Sequence, residues 1–529
     1  MTLLLRRAIA LAVLVLALAP QAYAAPKLTV EAESRPVDLF TRPLPDRGRA
    51  AVSIDLALSP GAAATLGSES PLRLRRSGRR LIVTSGGVSR RLRSRAVHHV
   101  EAAAEGSDAL ISIDGVPIDS ALRRGRSFTL QVQRGRVVVD SFIASPLDDA
   151  QTLLLHRLAA LHAVTPAGRA PLGVGADGTL RFHAGWTRGF WPGALWQAAD
   201  LIPGDDIFED WALTATLRNF GAEREDTHDL GFMYARSSVA AHERLCRPAP
   251  PTVEAGARTC ARLRRSALRA ADSLAALGRT NATAGTIPTR SATLCRDCES
   301  LDEADTIVDS MMNLSLLLWA ARETPAERAG YRDMALTHAN GVARHLVRAD
   351  GSTAQSVHNR RSDGAILGVH THQGASDTST WARGQSWAIY GFAQTALLTR
   401  SPELLDVAER TAGFVAARNP NGLVPPYDYG AAPGAPTDAS AGVIGAAGLL
   451  LLEDACRRLG RCEGGGRRWG VLGERMLDSS LAGVRTAPPL GLLGGQVFSL
   501  GGSQSWDDSG EFIFGLDYAL EAVNRADDR

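Results

Sequence analysis

The hydrophobic period of the sequence changes once, at Pro146, and no other feature constrains the fold as strongly. Between residues 27 and 145 apolar and polar residues alternate, as in the run FTLQV at 128–132, and this alternation is typical of half-buried strands. After Pro146 apolar residues recur every three or four positions, which is typical of amphipathic helices. We therefore predict a small all-β, sandwich-like accessory domain over residues 25–145 and a mainly α domain over residues 146–529.

Two local signals stand out in the β region. Arg134-Gly135 separates two strand-like runs and predicts a hairpin turn between them. Nine arginines lie between Arg73 and Arg95, where they could grip an acidic polysaccharide. A solvated strand face is the simpler explanation of the arginines, because charged residues usually cover the outer face of a sheet.

The helical region contains twelve segments with the period of an amphipathic helix. They span residues 148–163, 192–200, 205–220, 231–247, 252–277, 306–323, 325–347, 380–399, 402–418, 440–459, 466–481 and 510–525. Twelve helices fit six helical hairpins closed into a toroid, so we predict an (α/α)6 barrel. The even-numbered helices of such a barrel run in one direction, and their N-terminal ends meet at one mouth. Unusual polar and aromatic residues occur in or beside those helices and predict a cleft there, at 191–193, 228–232, 309–313, 381–385, 438–440 and 510–512.

The first 24 residues have the composition of a secretory signal peptide. Arg6 and Arg7 precede an apolar run at 8–19, and Ala-Tyr-Ala at 22–24 is a small-x-small cleavage site. We expect their removal and export to the periplasm or the medium. No later apolar run reaches the roughly 18 residues of a membrane span, so we expect none. The net charge falls from +2 to about 0 without the two arginines, which argues against nucleic acid as a partner.

Six cysteines fit an exported protein, because disulfides persist in oxidising compartments. The local pairs that we predict are Cys246–Cys260, Cys295–Cys298 and Cys456–Cys462. A zinc site at Cys295-x-x-Cys298 would need a second ligand pair at suitable spacing, and the sequence has none nearby. We therefore predict no metal and no other cofactor.

Asp309 lies on the apolar face of its predicted helix, because Met312, Asn313, Leu316 and Leu317 follow at the spacing of one face. A buried carboxyl is costly unless it is hydrogen-bonded or used, and burial raises its pKa toward that of a general acid. The alternative is a structural Asp that pairs with Asn313 or with an arginine.

His228 and Asp229 open the fourth predicted helix. Asp229 fits an N-cap, a position that Asp fills readily. The functional alternative is that Asp229 brings a second carboxylate to the same mouth, while His228 donates a hydrogen bond to an anionic or hydroxyl group.

The stretch from His370 to Trp387 is rich in side chains that bind sugars. Arg383 and Trp387 are four residues apart, so one helix face would present a guanidinium fork beside an indole plate. The fork suits a carboxylate and the plate suits a sugar ring. The alternative is that the tryptophan belongs to the core, although His372 and Gln373 just upstream favour a binding site.

Three blocks in this order resemble the unsaturated glucuronyl hydrolases, glycoside hydrolase family 88. The blocks are HDLGF at 228–232, IVDSMMNL at 307–314, and THQG at 371–374 with TWARGQSW at 380–387. The resemblance extends from about Gly185 to Arg525 and leaves out the β region. Ala194 stands where the family has a polar side chain.

The resemblance implies an (α/α)6 barrel that removes an unsaturated uronic acid from the non-reducing end of oligosaccharides released by polysaccharide lyases. It implies that Asp309 is the general acid and base and that Asp229 is a second essential carboxylate. The positions that it assigns to substrate binding are Trp191, His228, Asn313, His372, Gln373, Arg383 and Trp387, with His358 as a further candidate.

The implied chemistry is hydration of an enol ether. Protonation at C4 of the sugar leaves an oxocarbenium-like centre at C5, water adds there, and the hemiketal opens and expels the next sugar. No metal is needed. Alternatives are an unsaturated rhamnogalacturonyl hydrolase that acts on pectin fragments, and a non-catalytic protein that binds anionic glycans through the arginine-rich β region.

Overall fold

The structure is a computed structural model that divides into two compact units. Between residues 28 and 146 it describes the strands given below and residues 60 and 62. After residue 146 it describes most of 154–162, 165–175 except 167, 179–182, 185–201, 206–247, 256–291, 298–482, 494–499, and 510–529 except 528. The first unit contains the described part of Met1–Pro166 with the short segment at 202–207, and the second contains the described parts of Ala167–Leu201, Phe208–Ala487 and Gly491–Arg529.

The described part of the first unit contains eleven strands. They are β1 Leu28–Ala32, β2 Val37–Pro43, β3 Arg49–Leu58, β4 Ala63–Leu66, β5 Leu72–Ser77, β6 Arg80–Ser85, β7 Val88–Arg93, β8 His98–Glu105, β9 Asp108–Ile113, β10 Val116–Ile118 and β11 Ser127–Pro146. Their order is β10-β9-β8-β3-β11-β4-β5-β6-β7, and β1 and β2 also pair with β11. The pairs that the structure records in this unit are antiparallel, and they include pairs between distant segments, such as β1 with β11.

Strand β11 joins the two groups of strands. Its first half pairs with β2 and β4, and its second half pairs with β1 and β3. The predicted hairpin at Arg134-Gly135 is therefore wrong, because the strand continues through both residues. The register against β4 shifts between Val132 and Arg134, so the glycine lies at an irregularity of the ladder, where glycine is common, and not at a turn.

The β5 and β6 strands alternate strictly between buried and outward-facing side chains. Leu74, Leu81 and Val83 are buried, whereas Arg73, Arg75 and Arg80 are exposed. The first predicted helix, at 148–163, is helical over short stretches between 154 and 162 and lies in this unit. Its leucines at 154, 155, 158 and 161 are buried.

The second unit is mainly helical. Its α-helices are Phe190–Leu201, Asp206–Arg218, Leu230–Tyr234, Ala240–Leu245, Gly256–Arg279, Leu314–Glu323, Pro325–Arg328, Gly330–His345, Ala382–Thr399, Pro402–Arg418, Ala439–Leu459, Arg467–Ala482 and Ile513–Asp527. Short 3₁₀ turns lie at Trp186–Gly189, Val308–Asn313 and Glu463–Gly466, and a π turn at Ala235–Val239 links two of the helices. Each of the other eleven predicted helices overlaps one to three of these segments.

Six of these segments pack in chain order, each against the next, and the last packs against the first. They are Phe190–Leu201, 230–245, 308–323, Ala382–Thr399, Ala439–Leu459 and Ile513–Asp527. Four other helices each contact two of the six: Gly256–Arg279, Gly330–His345, Pro402–Arg418 and Arg467–Ala482. All six correspond to the even-numbered predicted helices whose N-terminal ends we expected to meet, and one of them, 308–323, begins as a 3₁₀ turn.

Glycines allow close approach within this arrangement, as at Gly391 and Gly448. A Cβ at Gly391 would lie 2.5 Å from the Met311 side chain, and a Cβ at Gly448 would lie 3.0 Å from the Tyr390 backbone nitrogen. The helix Ala439–Leu459 is long and apolar enough to cross a membrane by length and composition. Most of it is buried inside this unit, as in the core helix of a globular fold.

Two small antiparallel sheets lie between the helices. One contains β12 Pro171–Gly175, β13 Leu180–Phe182 and β17 Gly510–Phe512, and the other contains β14 Glu303–Ile307, β15 Ser356–Arg360 and β16 Ile366–His370. The predicted helices at 306–323 and 510–525 therefore begin later than expected, after β14 and β17. Strands of three to five residues are too short to set a recognisable period of their own.

The predicted disulfides Cys246–Cys260 and Cys456–Cys462 are confirmed. Cys298 is also disulfide-bonded, whereas Cys295 lies outside the described residues. Because Cys298 is oxidised, it supplies no thiolate to a metal ion.

Removal of the longer disulfide loop should cost more stability than removal of the shorter one. The Cys246–Cys260 bridge closes 14 residues and the Cys456–Cys462 bridge closes 6. We expect Cys246→Ser/Cys260→Ser to lower the free energy of unfolding by about 3 kcal/mol and Cys456→Ser/Cys462→Ser by about 2 kcal/mol, as measured by urea unfolding. Unchanged midpoints in both variants would show that the bridges do not constrain the unfolded chain.

Candidate functional site

Asp309 lies in the 3₁₀ turn Val308–Asn313, directly after β14. The backbone N–H of Val308 donates to the Gln355 carbonyl at 2.8 Å and fixes the start of the turn. Asp309 is half-buried, and its Oδ1 atom is buried with no hydrogen-bond partner among the residues that the structure describes. The structural alternative of a carboxyl satisfied by Asn313 is therefore not supported, since the Asn313 Oδ1 atom accepts from the Phe232 N–H at 2.7 Å.

The electrostatics of Asp309 suit a proton donor. Burial raises the pKa of its carboxyl to about 6. The charges of His228 and Arg383 lower this pKa, and the charge of Asp229 raises it. A carboxyl with this pKa is partly protonated near neutral pH, which is what a general acid requires.

His228 connects the second carboxyl to this turn. Its ring Nδ1 atom lies 2.7 Å from the hydroxyl of Ser310, the residue after Asp309, and its Nε2 atom lies 3.3 Å from Asp229 Oδ1. The His228 backbone N–H donates to the Thr289 carbonyl at 3.1 Å. The buried imidazole therefore holds Asp229 and the Asp309 turn together.

Asp229 occupies the N-cap position of the helix Leu230–Tyr234 without capping it. In the described part of the chain its side chain accepts no hydrogen bond from that helix, and its Oδ2 atom accepts from the Thr227 hydroxyl at 2.9 Å. The carboxylate is partly exposed. The N-cap alternative does not account for it.

A glycine lets the helix that follows Asp229 approach the Asp309 turn. A Cβ at Gly231 would lie 2.2 Å from the Cα of Asn313, so any other residue would push the two elements apart. Asn313 then fixes the contact through its hydrogen bond to Phe232. This predicted site residue is fully buried and acts within the protein.

Gln355 organises the loop that follows β16, and the sequence analysis did not single it out. Its Oε1 atom accepts from the Thr371 hydroxyl at 2.7 Å, from the His372 N–H at 2.8 Å and from the Gln373 N–H at 2.9 Å. Its Nε2 atom donates to Gln373 Oε1 at 2.8 Å. No periodicity or motif marks this buried glutamine, so the sequence offers no signal for it.

Asp305 positions the ring of His372. Its Oδ2 atom lies 2.7 Å from His372 Nε2, its Oδ1 atom accepts from the Ser356 hydroxyl, and His370 Nε2 lies 3.5 Å from Oδ1. Burial would raise the pKa of the Asp305 carboxyl, but the hydrogen bonds from His372 and Ser356 and the nearby His370 hold it below its usual value. One donor atom from each of Asp305, His370 and His372 lies within 4.8 Å of the others.

Arg383 is buried and does not present a free fork to the mouth. Its Nη1 atom donates to Asp438 Oδ2 at 2.9 Å and to the Val497 carbonyl, and its Nη2 atom donates to the Phe498 carbonyl at 2.7 Å. The prediction of a fork that clamps a substrate carboxylate is therefore wrong in this conformation, because both arms already donate within the protein. Its charge still acts on Asp309 by lowering the pKa of that carboxyl.

The two predicted tryptophan contacts are also buried. Trp387 is only 1% exposed, and its ring packs 5.1 Å from Phe232 and 5.2 Å from Tyr518. The predicted indole plate is wrong, since this side chain belongs to the core. Trp191 is 4% exposed and, with Arg218, lines a separate cavity of about 250 Å³. None of the other predicted site residues lines this cavity.

A different aromatic pair lies beside the site. Trp186 is partly exposed, and its ring lies 6.1 Å from that of Phe498. The Phe498 carbonyl accepts from Arg383 and also from Gln373 Nε2 at 2.9 Å, so this pair borders the His372 loop. The aromatic-rich run at 185–191 is the sequence signal that could have identified Trp186. His358 lies on β15, with its Nε2 atom 3.0 Å from Glu303.

Comparisons with known proteins identify relatives of this chain. No protein-family model matches the sequence. The chain is 34% identical over 286 residues to an unsaturated glucuronyl hydrolase of Bacillus sp. (strain GL1), an alignment that covers 52% of this chain and 70% of that protein. It is 31% identical over 270 residues to an unsaturated chondroitin disaccharide hydrolase of Streptococcus pyogenes serotype M1, covering 50% of this chain and 62% of that one.

Solved structures agree with these relatives. The crystal structure of an unsaturated glucuronyl hydrolase specific for heparin matches with a TM-score of 0.61 and 26% identity over 72% of this chain and 96% of that one. The Bacillus sp. GL1 enzyme matches with a TM-score of 0.58 and 28% identity over 71% of this chain and 94% of that one.

The stability of an Asp309→Asn variant should depend on pH in a way that separates a functional carboxyl from a structural one. In the folded wild type the pKa of the Asp309 carboxyl, about 6, lies above the unfolded value of about 3.9. The ionised carboxyl therefore destabilises the wild-type fold above pH 6. This penalty shrinks as the pH falls through 6 toward the unfolded value.

The variant should therefore be more stable than wild type at about pH 8, by about 1 to 3 kcal/mol, with the gain falling to well under half at about pH 4. Denaturant unfolding at the two pH values measures both. A variant less stable than wild type at each pH would mean that Asp309 holds the fold together.

Proposed function

The chain belongs to the unsaturated glucuronyl hydrolases, and we propose that it removes a 4,5-unsaturated uronic acid from the non-reducing end of lyase-generated oligosaccharides. The observation that carries the proposal is the Asp309 carboxyl, which combines a raised pKa and a buried unpartnered oxygen with a second carboxyl held beside it through His228. Two carboxyls in different environments are the usual arrangement for acid and base work at one site.

Asp309 acts first as acid and then as base in this proposal. Its proton goes to C4 of the enol ether, and the C4=C5 electrons form the new C–H bond and leave an oxocarbenium-like centre at C5. Water adds to C5 and returns its proton to the Asp309 carboxylate, which regenerates the acid. The hemiketal then opens and releases the next sugar, so the bond to that sugar breaks without direct displacement.

The surrounding residues divide the remaining work. Asp229 raises the pKa of Asp309, which keeps the proton available, and His228 holds both carboxyl segments in place. His372 and Gln373 are the residues that we assign to the sugar, because their backbone is pinned by Gln355 while their loop borders the site. Trp186 is the aromatic residue that we assign to the sugar in place of Trp387 and Trp191.

We further propose that the six segments that pack in succession form the inner ring of an (α/α)6 barrel. Their order and the contact between the last and the first support this closure. The four helices that each bridge two of them fit the outer ring. We also propose that residues 1–24 direct export to the periplasm or the medium.

The enzyme should bleach the ultraviolet absorbance of the enoate in at least one unsaturated uronyl disaccharide, with chelator present. Asp309→Asn should lose at least the roughly 10² to 10⁴ in turnover that a general acid contributes, while it still binds the disaccharide.

The wild-type rate should fall above about pH 6 as Asp309 ionises. Asp229→Asn should move this fall in rate to lower pH, because it removes a negative charge that raises the pKa of Asp309.

Asp333 is exposed, and Asp333→Asn serves as the matched control. This variant should leave both the rate and the pH profile unchanged. A panel that includes glycosaminoglycan-derived and pectin-derived disaccharides separates the proposed activity from an unsaturated rhamnogalacturonyl hydrolase. Inactivity on the whole panel, or turnover by Asp309→Asn within about tenfold of wild type, would refute the proposal.

The arginine-rich sheet face supports a second role, which is binding of anionic polysaccharide by the β unit. Arg75 on β5 and Arg91 on β7 flank Ile82 of β6 in register, and Arg73 and Arg80 project from the same outer face. All four are exposed, and the sequence from 72 to 95 contains no Asp or Glu. Guanidinium groups on one face pair well with carboxylates and sulfates.

Affinity for immobilised heparin tests this role. Arg73→Gln/Arg75→Gln/Arg91→Gln should elute at lower salt than wild type, because binding of exposed charges is screened by salt. The variant should keep wild-type turnover of a disaccharide. The matched control Arg262→Gln/Arg265→Gln/Arg269→Gln carries the same charge change on the helix Gly256–Arg279 and should elute like wild type. Equal elution of wild type and the sheet variant would leave a solvated face as the explanation.

A further inference from the structure

We propose that Asp305, His370 and His372 form a binding site for a divalent transition-metal ion, with Zn²⁺ as the best match, and that the bound ion inhibits the enzyme. The Nε2 atoms of the two histidines face the two oxygens of Asp305, at 3.5 Å from His370 and 2.7 Å from His372. The donor atoms of all three lie within 4.8 Å of one another, so small side-chain shifts bring them to one ion.

The donor set fits borderline metals. Two imidazole nitrogens and one carboxylate are ligands that Zn²⁺ uses, and three protein ligands leave a position for water. Mg²⁺ and Ca²⁺ prefer sets made of oxygen and fit poorly. His372 Nε2 lies at hydrogen-bond distance from Asp305, so metal binding requires the tautomer with its proton on Nδ1.

The small sheet holds two of the three ligands in advance. Asp305 lies on β14, and His370 is the last residue of β16, opposite Ser356 of the intervening strand β15. Ser356 donates its hydroxyl to Asp305 and so orients the carboxylate, as partners of metal ligands commonly do. Only His372, in the loop after β16, has to adjust.

An ion can reach the site from solvent and find a carboxylate that gains from it. The side chains of His370 and His372 are 16% and 20% exposed, whereas that of Asp305 is 4% exposed. A buried carboxylate is costly unless it is paired, and a bound divalent cation would pair it directly.

The neighbouring cluster of Cys298, Glu303 and His358 is a weaker candidate. Its donor atoms also lie within 4.8 Å of one another, but Cys298 is disulfide-bonded and contributes no thiolate. The ligand set that remains has two members. The metal site is therefore assigned to the first cluster alone.

Inhibition follows from the position of His372. The ion would hold its ring toward Asp305, and His372 and Gln373 share the hydrogen bonds of Gln355. A ring held by the ion cannot adjust to a sugar in the site. This inhibitory part rests on the proposed function, whereas the binding of the ion does not.

Calorimetric titration of the chelator-treated full chain with Zn²⁺, and visible absorbance of the Co²⁺ form, test the site directly. Wild type should bind one equivalent of ion. His370→Gln should weaken Zn²⁺ binding by at least about tenfold, because it removes one of the three proposed ligands. His345→Gln, a histidine on the helix Gly330–His345, is the matched control and should bind like wild type.

Turnover measured on the same preparations tests the inhibition. Added Zn²⁺ should suppress wild-type turnover, chelator should restore it, and His370→Gln should lose a smaller fraction of its own metal-free turnover at the same concentration of ion. Absence of stoichiometric binding, or equal binding by wild type and His370→Gln, would overturn the site. Binding with unchanged turnover would overturn the inhibition. Lack of turnover on every substrate without metal would refute the proposed function and leave the calorimetric result to decide on the site.

Discussion

The geometry of the site depends on one contact, between the 3₁₀ turn at 308–313 and the chain at 228–232. His228 reaches Ser310 through one ring nitrogen and Asp229 through the other, while Asn313 accepts from the Phe232 N–H. The closeness requires Gly231, because a Cβ there would meet the backbone of Asn313. The hydrogen-bonded imidazole of His228 and the absence of a side chain at Gly231 therefore bring together two carboxyls from distant parts of the chain.

Around this contact many buried polar groups are satisfied, but Asp309 Oδ1 and Asn313 Nδ2 have no hydrogen-bond partner among the described residues. Gln355 makes four hydrogen bonds to the loop at 371–373, and Asp438 accepts from Arg383 while it caps the helix Ala439–Leu459. Satisfied groups of this kind rigidify a core. An unsatisfied oxygen in a rigid surrounding costs stability, and it is kept where it has chemical work to do.

The sequence predicted long periodic elements well and the environments of single side chains poorly. The helix Pro402–Arg418 was predicted to the residue, because Ser401 caps it, Pro402 begins it and an apolar stripe runs along it. The raised pKa expected for Asp309 agrees with its burial, although Asp309 lies in a 3₁₀ turn and not on the α-helical face that its spacing predicted. The roles of Asp309 and Asp229 stay predictions. Arg383 and Trp387 were misjudged, because spacing on a helix does not tell which face is covered by segments far along the chain.

The buried pairing of Arg383 also explains how Asp309 can keep a raised pKa with a guanidinium nearby. A lone positive charge in a poorly solvated site would favour the carboxylate strongly and cancel the effect of burial. Asp438 pairs with that guanidinium at 2.9 Å, so its negative charge offsets part of the positive charge of Arg383. Arg383 still lowers the pKa of Asp309, but burial is the largest cause of the shift, and the pKa of Asp309 is raised to about 6.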